Sequence, residues 1–122
     1  VVPLAIASGA LGIEIRRTLE RERLASFFIA VVAAEDTPVG KPAPDPYLRA
    51  LALLAETTGG PMTASECVAI EDSPWGLQSA RAAGLRTVAV AQTYEASDLD
   101  ADIVIASLAS LDLVALHQLC SR

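Results

Sequence analysis

The chain has 122 residues, 52% of them hydrophobic and 4% aromatic, with a net charge of −6. That length suits one domain of ordinary size, and the acidic balance argues against a nucleic-acid or anionic-membrane partner, which would require a basic face. That length suits one domain, and the longest apolar run is far too short to span a bilayer. The first residues lack the charged region of a signal peptide, so none is expected, and Cys67 and Cys120 show neither metal spacing nor a disulfide framework, so a reducing, cytoplasmic setting is expected.

The apolar content is mostly Ala, Val, Leu and Ile, which suits parallel strands covered by alanine-rich helices. The chain opens on Val1-Val2-Pro3 and reads at once as a buried strand, Val2 to Ala7, followed by the turn Ser8-Gly9-Ala10. A start inside the core is the first hint of a truncated chain. Leu11 to Leu24 has helix periodicity, with Leu11, Ile15, Leu19 and Arg23 or Leu24 on one stripe. Phe28 to Ala34 is a second strand, and the loop from Glu35 to Pro44 follows. Asp45 is expected to cap the next helix, with Pro46 at its first position and a stripe through Leu48, Leu51, Leu54 and Ala55. Gly59-Gly60-Pro61 ends it.

Cys67 to Ile70 is a third strand that runs into Glu71-Asp72-Ser73, with Cys67 as a small core residue. Ser73 then Pro74 starts a helix that closes at Gly84, placed for a left-handed cap. Arg86 to Ala91 and Ile103 to Ile105 are two more strands, and Ser107 caps a last helix through Leu108, Leu111, Val114 and Leu116. The order βαβαβαββα implies a mostly parallel sheet with helices on both faces.

Three polar features fall just past strand ends: Ser8, Lys41 and the pair Glu71-Asp72, separated by 33 and 30 residues. Each interval is about one strand-helix-strand unit. Parallel sheets bind ligands outside the carboxyl ends of their strands, so the three are expected to share one crevice. Ser8 with the Gly9 and Ala10 N–H groups makes an anion cradle at a helix start. Lys41 is the single lysine among nine basic residues. Its compact charge suits a phosphoryl oxygen, where arginine would bring a planar fork. Glu71 and Asp72 offer hard oxygens suited to Mg²⁺, which binds through one or two carboxylates plus substrate phosphate. Together these suggest phosphoryl transfer.

Plainer readings exist for each. Ser8 also reads as a helix cap, Lys41 as a surface lysine, and Glu71-Asp72-Ser73-Pro74 as a helix start that favours negative charge. Asp45 reads as a structural cap or clamp. Trp75 either borders a site or packs. His117 lies in the last helix, far from the strand ends. Asp98, Asp100 and Asp102 read as solvated loop carboxylates.

Leu4-Ala5-Ile6-Ala7-Ser8-Gly9, Gly40-Lys41-Pro42-Ala43-Pro44-Asp45-Pro46-Tyr47, and Val68 to Leu77 followed by Ala80-Arg81-Ala82-Ala83-Gly84 resemble, in order, the second, third and fourth motifs of the haloacid dehalogenase-like hydrolase superfamily. The likeness is to its phosphatase and phosphoglucomutase-like branch and covers essentially the whole chain. It implies an α/β, three-layer Rossmann-like sandwich with a mostly parallel sheet. It also implies that Ser8 and Gly9 hold phosphate, that Lys41 stabilises developing charge, and that Asp72 binds Mg²⁺ directly, with Glu71 acting directly or through water. The family's nucleophilic aspartate belongs to a D-x-D-G-T type motif, and this chain has no such motif. The strand that bears it and the substrate-selecting cap are both expected to be missing.

On that resemblance residues 1–122 are the carboxyl-terminal portion of one hydrolase core domain, whose partner is the missing amino-terminal segment of the same protein. The parent is read as a Mg²⁺-dependent phosphatase for a small phosphorylated metabolite. The resemblance implies an aspartyl-phosphate intermediate, and this chain alone is expected to be inactive. The alternatives are a phosphoglucomutase-like mutase, a haloacid dehalogenase, or a non-catalytic module that kept the fold. In the family sheet the nucleophile strand lies between the strand ending at Ser8 and the strand ending at Glu71, so both inner edges are expected to be open.

Overall fold

A computed structural model describes residues 2–121. They fold as two compact units that divide between Met62 and Thr63. In the first, β1 (Ala5–Ala7) pairs in parallel with β2 (Ala30–Val32), Ala5 opposite Ala30 and Ala7 opposite Val32. The Ser8 N–H donated to the Val32 carbonyl at 2.9 Å carries the ladder one residue further. The crossover is α1 (Gly12–Arg21), which buries Ile15 and Leu19 against Ala33, with Ile6, Phe28 and Val31 packed around them. Leu11 and Leu24, expected on the buried stripe, lie outside the helix and are exposed. The helix stops because Arg23 turns left-handed, with φ of 57°, and the Leu24 N–H folds back to the Leu19 carbonyl at 2.8 Å.

The next helix, α2, spans Asp45–Thr58. Asp45 is its first residue and not its cap. Pro44 takes the cap position with near-helical backbone and offers no side-chain hydrogen bond. Its buried positions are Pro46, Tyr47 and Ala50; of the expected stripe Leu48 is exposed, and Leu51, Leu54 and Ala55 are half-buried. Gly59, at φ of 78°, ends the helix in the left-handed region, where glycine carries no side-chain penalty.

The second unit is a parallel sheet in the order β3-β4-β5: Val68–Glu71, Arg86–Val90 and Ile103–Ile105. Helix α3 (Pro74–Ala82) is capped by Ser73, whose Oγ accepts the Gly76 N–H at 3.1 Å. It closes at Gly84 with φ of 88°. Leu77, Ala89 and Leu99 form the core, with Ala91 and Ala101 against it. The last helix, α4, covers Leu113–Cys120 and is capped by Asp112, which accepts the Ala115 N–H at 2.8 Å. Ser107 caps only a short 3-10 turn, Leu108–Ser110, so Leu108 and Leu111 are not on the final helix as expected.

Two loop aspartates read as solvated are engaged. Asp102 Oδ2 accepts the Thr87 N–H at 2.8 Å and lies 3.2 Å from the Thr87 hydroxyl, while the Asp102 N–H donates to Thr87 Oγ1 at 3.0 Å. Thr87 is fully buried, so this reciprocal pair ties the entry of β5 to β4. Asp100 pairs with Arg81 on the surface. Cys67 and Cys120 are half-buried free thiols. Burial pushes the Cys67 thiol above its ordinary pKa, aided by the Cys120 thiol and Glu66. His117 is exposed.

The element order is the βαβαβαββα read from the sequence, and every strand pair is parallel. Among the described residues β1 pairs only with β2, and β3 only with β4, so each is an edge strand. No helix among them is long and apolar enough to cross a membrane.

Candidate functional site

The candidate residues fall into two sets, one in each unit. In the first unit, β1 ends at Ala7 and the chain turns through Ser8 and Gly9 before α1. Ser8 is half-buried, and its Oγ accepts the Ala10 N–H at 3.1 Å, which fixes the turn. Leu11, not Ser8, stands at the cap position of α1. Ser8 therefore shapes the approach to the helix without capping it. Gly9 is exposed, with no atom within 4 Å of where a β-carbon would project.

Lys41 comes to the same place from 34 residues away. Its Nζ donates to the Ala7 carbonyl at 2.9 Å and stands 5.3 Å from the centre of the Tyr47 ring. A cation over an aromatic face is held electrostatically. Tyr47 is itself buried in α2, so the ring is a fixed support. The Lys41–Pro42 peptide is cis. The expected pairing of Ser8 with Lys41 at one strand end is thus present: the ammonium bonds the residue immediately before Ser8.

The α1 start is completed by a residue the sequence reading left unassigned. Glu35 accepts the Gly12 N–H through both carboxylate oxygens, at 3.0 and 3.2 Å. A β-carbon at Gly12 would sit 2.9 Å from Glu35 Oε2, so the glycine makes the approach possible. Nothing local to Glu35 signals this role, because its partner is 23 residues earlier.

In the second unit, Glu71 ends β3 and is buried, at 9% exposure. Asp72 follows, half-buried, and its Oδ2 accepts the Thr93 hydroxyl at 3.0 Å. Thr93 lies in the loop after β4, where no sequence motif marks it. Parallel pairing of β3 with β4 places Glu71 opposite Ala89, which brings that loop beside Asp72. Trp75, in the first turn of α3, is 60% exposed and so does not serve the core.

Among the described residues no cluster of three or more His, Cys, Asp or Glu forms a ready metal cage. A pair of neighbouring carboxylates, one of them oriented by a hydroxyl, still fits what Mg²⁺ takes from a protein when substrate phosphate and water complete its shell.

Residues 1–90 match the family profile described as haloacid dehalogenase-like hydrolase. The chain belongs to this family. Within it the relatives place the chain in the phosphatase and mutase branch. It is 39% identical over 100 residues to Protein CbbY of Cupriavidus necator, covering 80% of this chain and 37% of that protein. It is 38% identical over 88 residues to the fructose-1-phosphate phosphatase YqaB of Escherichia coli, covering 72% and 44%. The crystal structure of CbbY from Rhodobacter sphaeroides in complex with phosphate superposes with a TM-score of 0.83 at 27% identity, covering 95% of this chain and 52% of that one. The chain thus spans about half the length of that structure, and less of the curated relatives. These likenesses establish the α/β, Rossmann-like hydrolase fold.

Proposed function

We propose that this chain carries the phosphate-binding and metal-binding parts of a Mg²⁺-dependent phosphatase for small phosphorylated metabolites. The observation that carries the reading is the Lys41 ammonium 2.9 Å from the Ala7 carbonyl, beside Ser8 at the end of β1. The chemistry named for its relatives supports the substrate class, since one is a fructose-1-phosphate phosphatase and another is crystallised with phosphate.

In this proposal Ser8 uses its remaining hydroxyl proton to donate to a phosphoryl oxygen, since its Oγ already accepts the Ala10 N–H. The open space at Gly9 lets the backbone N–H approach the same group. Lys41 neutralises charge that develops on the phosphoryl oxygens during transfer, and the Tyr47 ring and the Ala7 carbonyl hold it ready. Asp72 would hold Mg²⁺ directly, and Glu71 directly or through water. When bound, the ion supplies further neutralisation of phosphoryl charge. The attacking group is the aspartate of the family's first motif, giving an aspartyl-phosphate that is then hydrolysed. That motif is not in this sequence, so the 122 residues by themselves are expected to show no turnover, and they are read as part of one hydrolase core in a cytoplasmic protein.

The test is hydrolysis of para-nitrophenyl phosphate by the whole protein. Lys41→Ala is expected to lower kcat about 100- to 1000-fold, the loss typical of removing one preorganised charge-stabilising group. Chelation of divalent metal should abolish turnover. Phosphate-ester hydrolysis that survives chelation would overturn the metal assignment, whereas no phosphate-ester hydrolysis together with metal-independent release of halide from a haloacid would favour a dehalogenase. The adjacent carboxylates of Glu71 and Asp72 speak against that alternative, because without a cation they would repel a carboxylate substrate.

A further inference from the structure

Glu71 and Gly76 meet across the turn between β3 and α3. A β-carbon at position 76 would overlap the Glu71 carboxyl carbon and Oε2 and lie 2.5 Å from Oε1. The carboxylate therefore occupies volume that any residue other than glycine would claim. The backbone there has little freedom to yield. Gly76 donates its N–H to Ser73 Oγ at 3.1 Å, and Leu77 donates to the Ser73 carbonyl at 3.1 Å. Leu77 is itself 2% exposed in the core of the unit. A side chain at 76 would thus displace the carboxylate and leave the helix in place. The first turn of α3 also favours the negative charge of Glu71, because backbone N–H groups there lack helical partners.

We propose that Gly76 is a positioning residue: its missing side chain is the space that fixes the Glu71 carboxylate next to Asp72 at the end of β3. The inference rests on the metal reading given above. It adds that metal affinity depends on a glycine that bears no ligand atom.

The test is a cycle of Gly76→Ala, Glu71→Ala and the double variant in the whole protein. It is read by metal-free calorimetric melting and by calorimetric titration with Mg²⁺ alone. With Glu71 present, Gly76→Ala should lower Tm by several degrees. With Glu71→Ala it should leave Tm unchanged or raise it, since alanine is the better helix former. Gly76→Ala should weaken Mg²⁺ binding about tenfold when Glu71 is present, in the range for loss of a supporting contact, and have little effect when it is absent. Should Gly76→Ala fail to fold, recovery of the fold in the double variant supports the inference, and failure of both overturns it. An equal Tm loss in both backgrounds overturns it, as does Mg²⁺ affinity unchanged by Gly76→Ala alone. If the unaltered protein binds no Mg²⁺, the metal reading fails, and the melting cycle still decides whether Gly76 holds Glu71.

Discussion

Thr93 shows how much of a site depends on residues that carry no signature. Its hydroxyl donates to Asp72 Oδ2 from 21 positions away, on a loop of ordinary polar composition. Thr93→Val removes the donor while keeping the shape. If Asp72 is a ligand, the Mg²⁺ concentration for half-maximal activity should rise about tenfold, as when other supporting contacts to metal ligands are removed. The KM for substrate should stay nearly unchanged. A matching rise in KM would mean instead that the loop contacts substrate. Thr87 offers a contrasting case, purely structural. It exchanges hydrogen bonds with Asp102 while fully buried. Thr87→Val would leave the Asp102 N–H without its acceptor and should lower stability by about 1–3 kcal/mol. Chemical denaturation would measure this, with no expected change in Mg²⁺ dependence.

At the scale of elements, helix ends follow local chemistry where that chemistry is strong. Ser73 and Pro74 start α3 and Gly84 ends it, all as the sequence indicates. Gly59 closes α2 in the same way. Local signals were weaker at α1, where periodicity ran on to Leu24 but the helix stops at Arg21. No glycine marks that stop. Arg23 takes the left-handed conformation, which costs a non-glycine residue about 1–2 kcal/mol. Arg23→Gly should therefore raise stability by about 1 kcal/mol, offset in part by the greater freedom of glycine in the unfolded chain. A lowered midpoint in urea would show that the arginine makes contacts that outweigh the strain. Both units also set a glutamate at or just past a strand end against a glycine in the first turn of a helix, Glu35 against Gly12 and Glu71 against Gly76. Motif spacing places these residues in sequence, but only packing shows that each glycine is the counterpart of a carboxylate.

At the scale of the molecule, the open edges of β1 and β3 dominate expectations. Among the described residues β1 and β3 each pair on one side only, and Leu4 and Ile70 in or beside them are 41% and 42% exposed. Unpaired edges with apolar neighbours recruit other strands. A preparation of these 122 residues alone should aggregate or melt without cooperativity. A sharp, reversible transition of a monomer by calorimetry and light scattering would contradict this.

The sequence by itself determined the order of strands and helices, their parallel pairing and the three polar stations at Ser8, Lys41 and Glu71-Asp72. Period, caps and spacing are local, and within the first unit they suffice to expect Lys41 at the strand end that carries Ser8. Tertiary structure alone decided what holds those stations. Lys41 rests on the Ala7 carbonyl and the Tyr47 ring, Asp72 on Thr93, and Glu71 in the space left by Gly76. It also moved Asp45 from cap to first helical residue, took Leu108 and Leu111 off the last helix, and engaged Asp100 and Asp102. For the long-range contacts the physical reason is one. A hydrogen bond or a close packing contact depends on position in space, and partners such as Lys41 and Ala7 or Asp72 and Thr93, 34 and 21 residues apart, leave no local pattern to announce it.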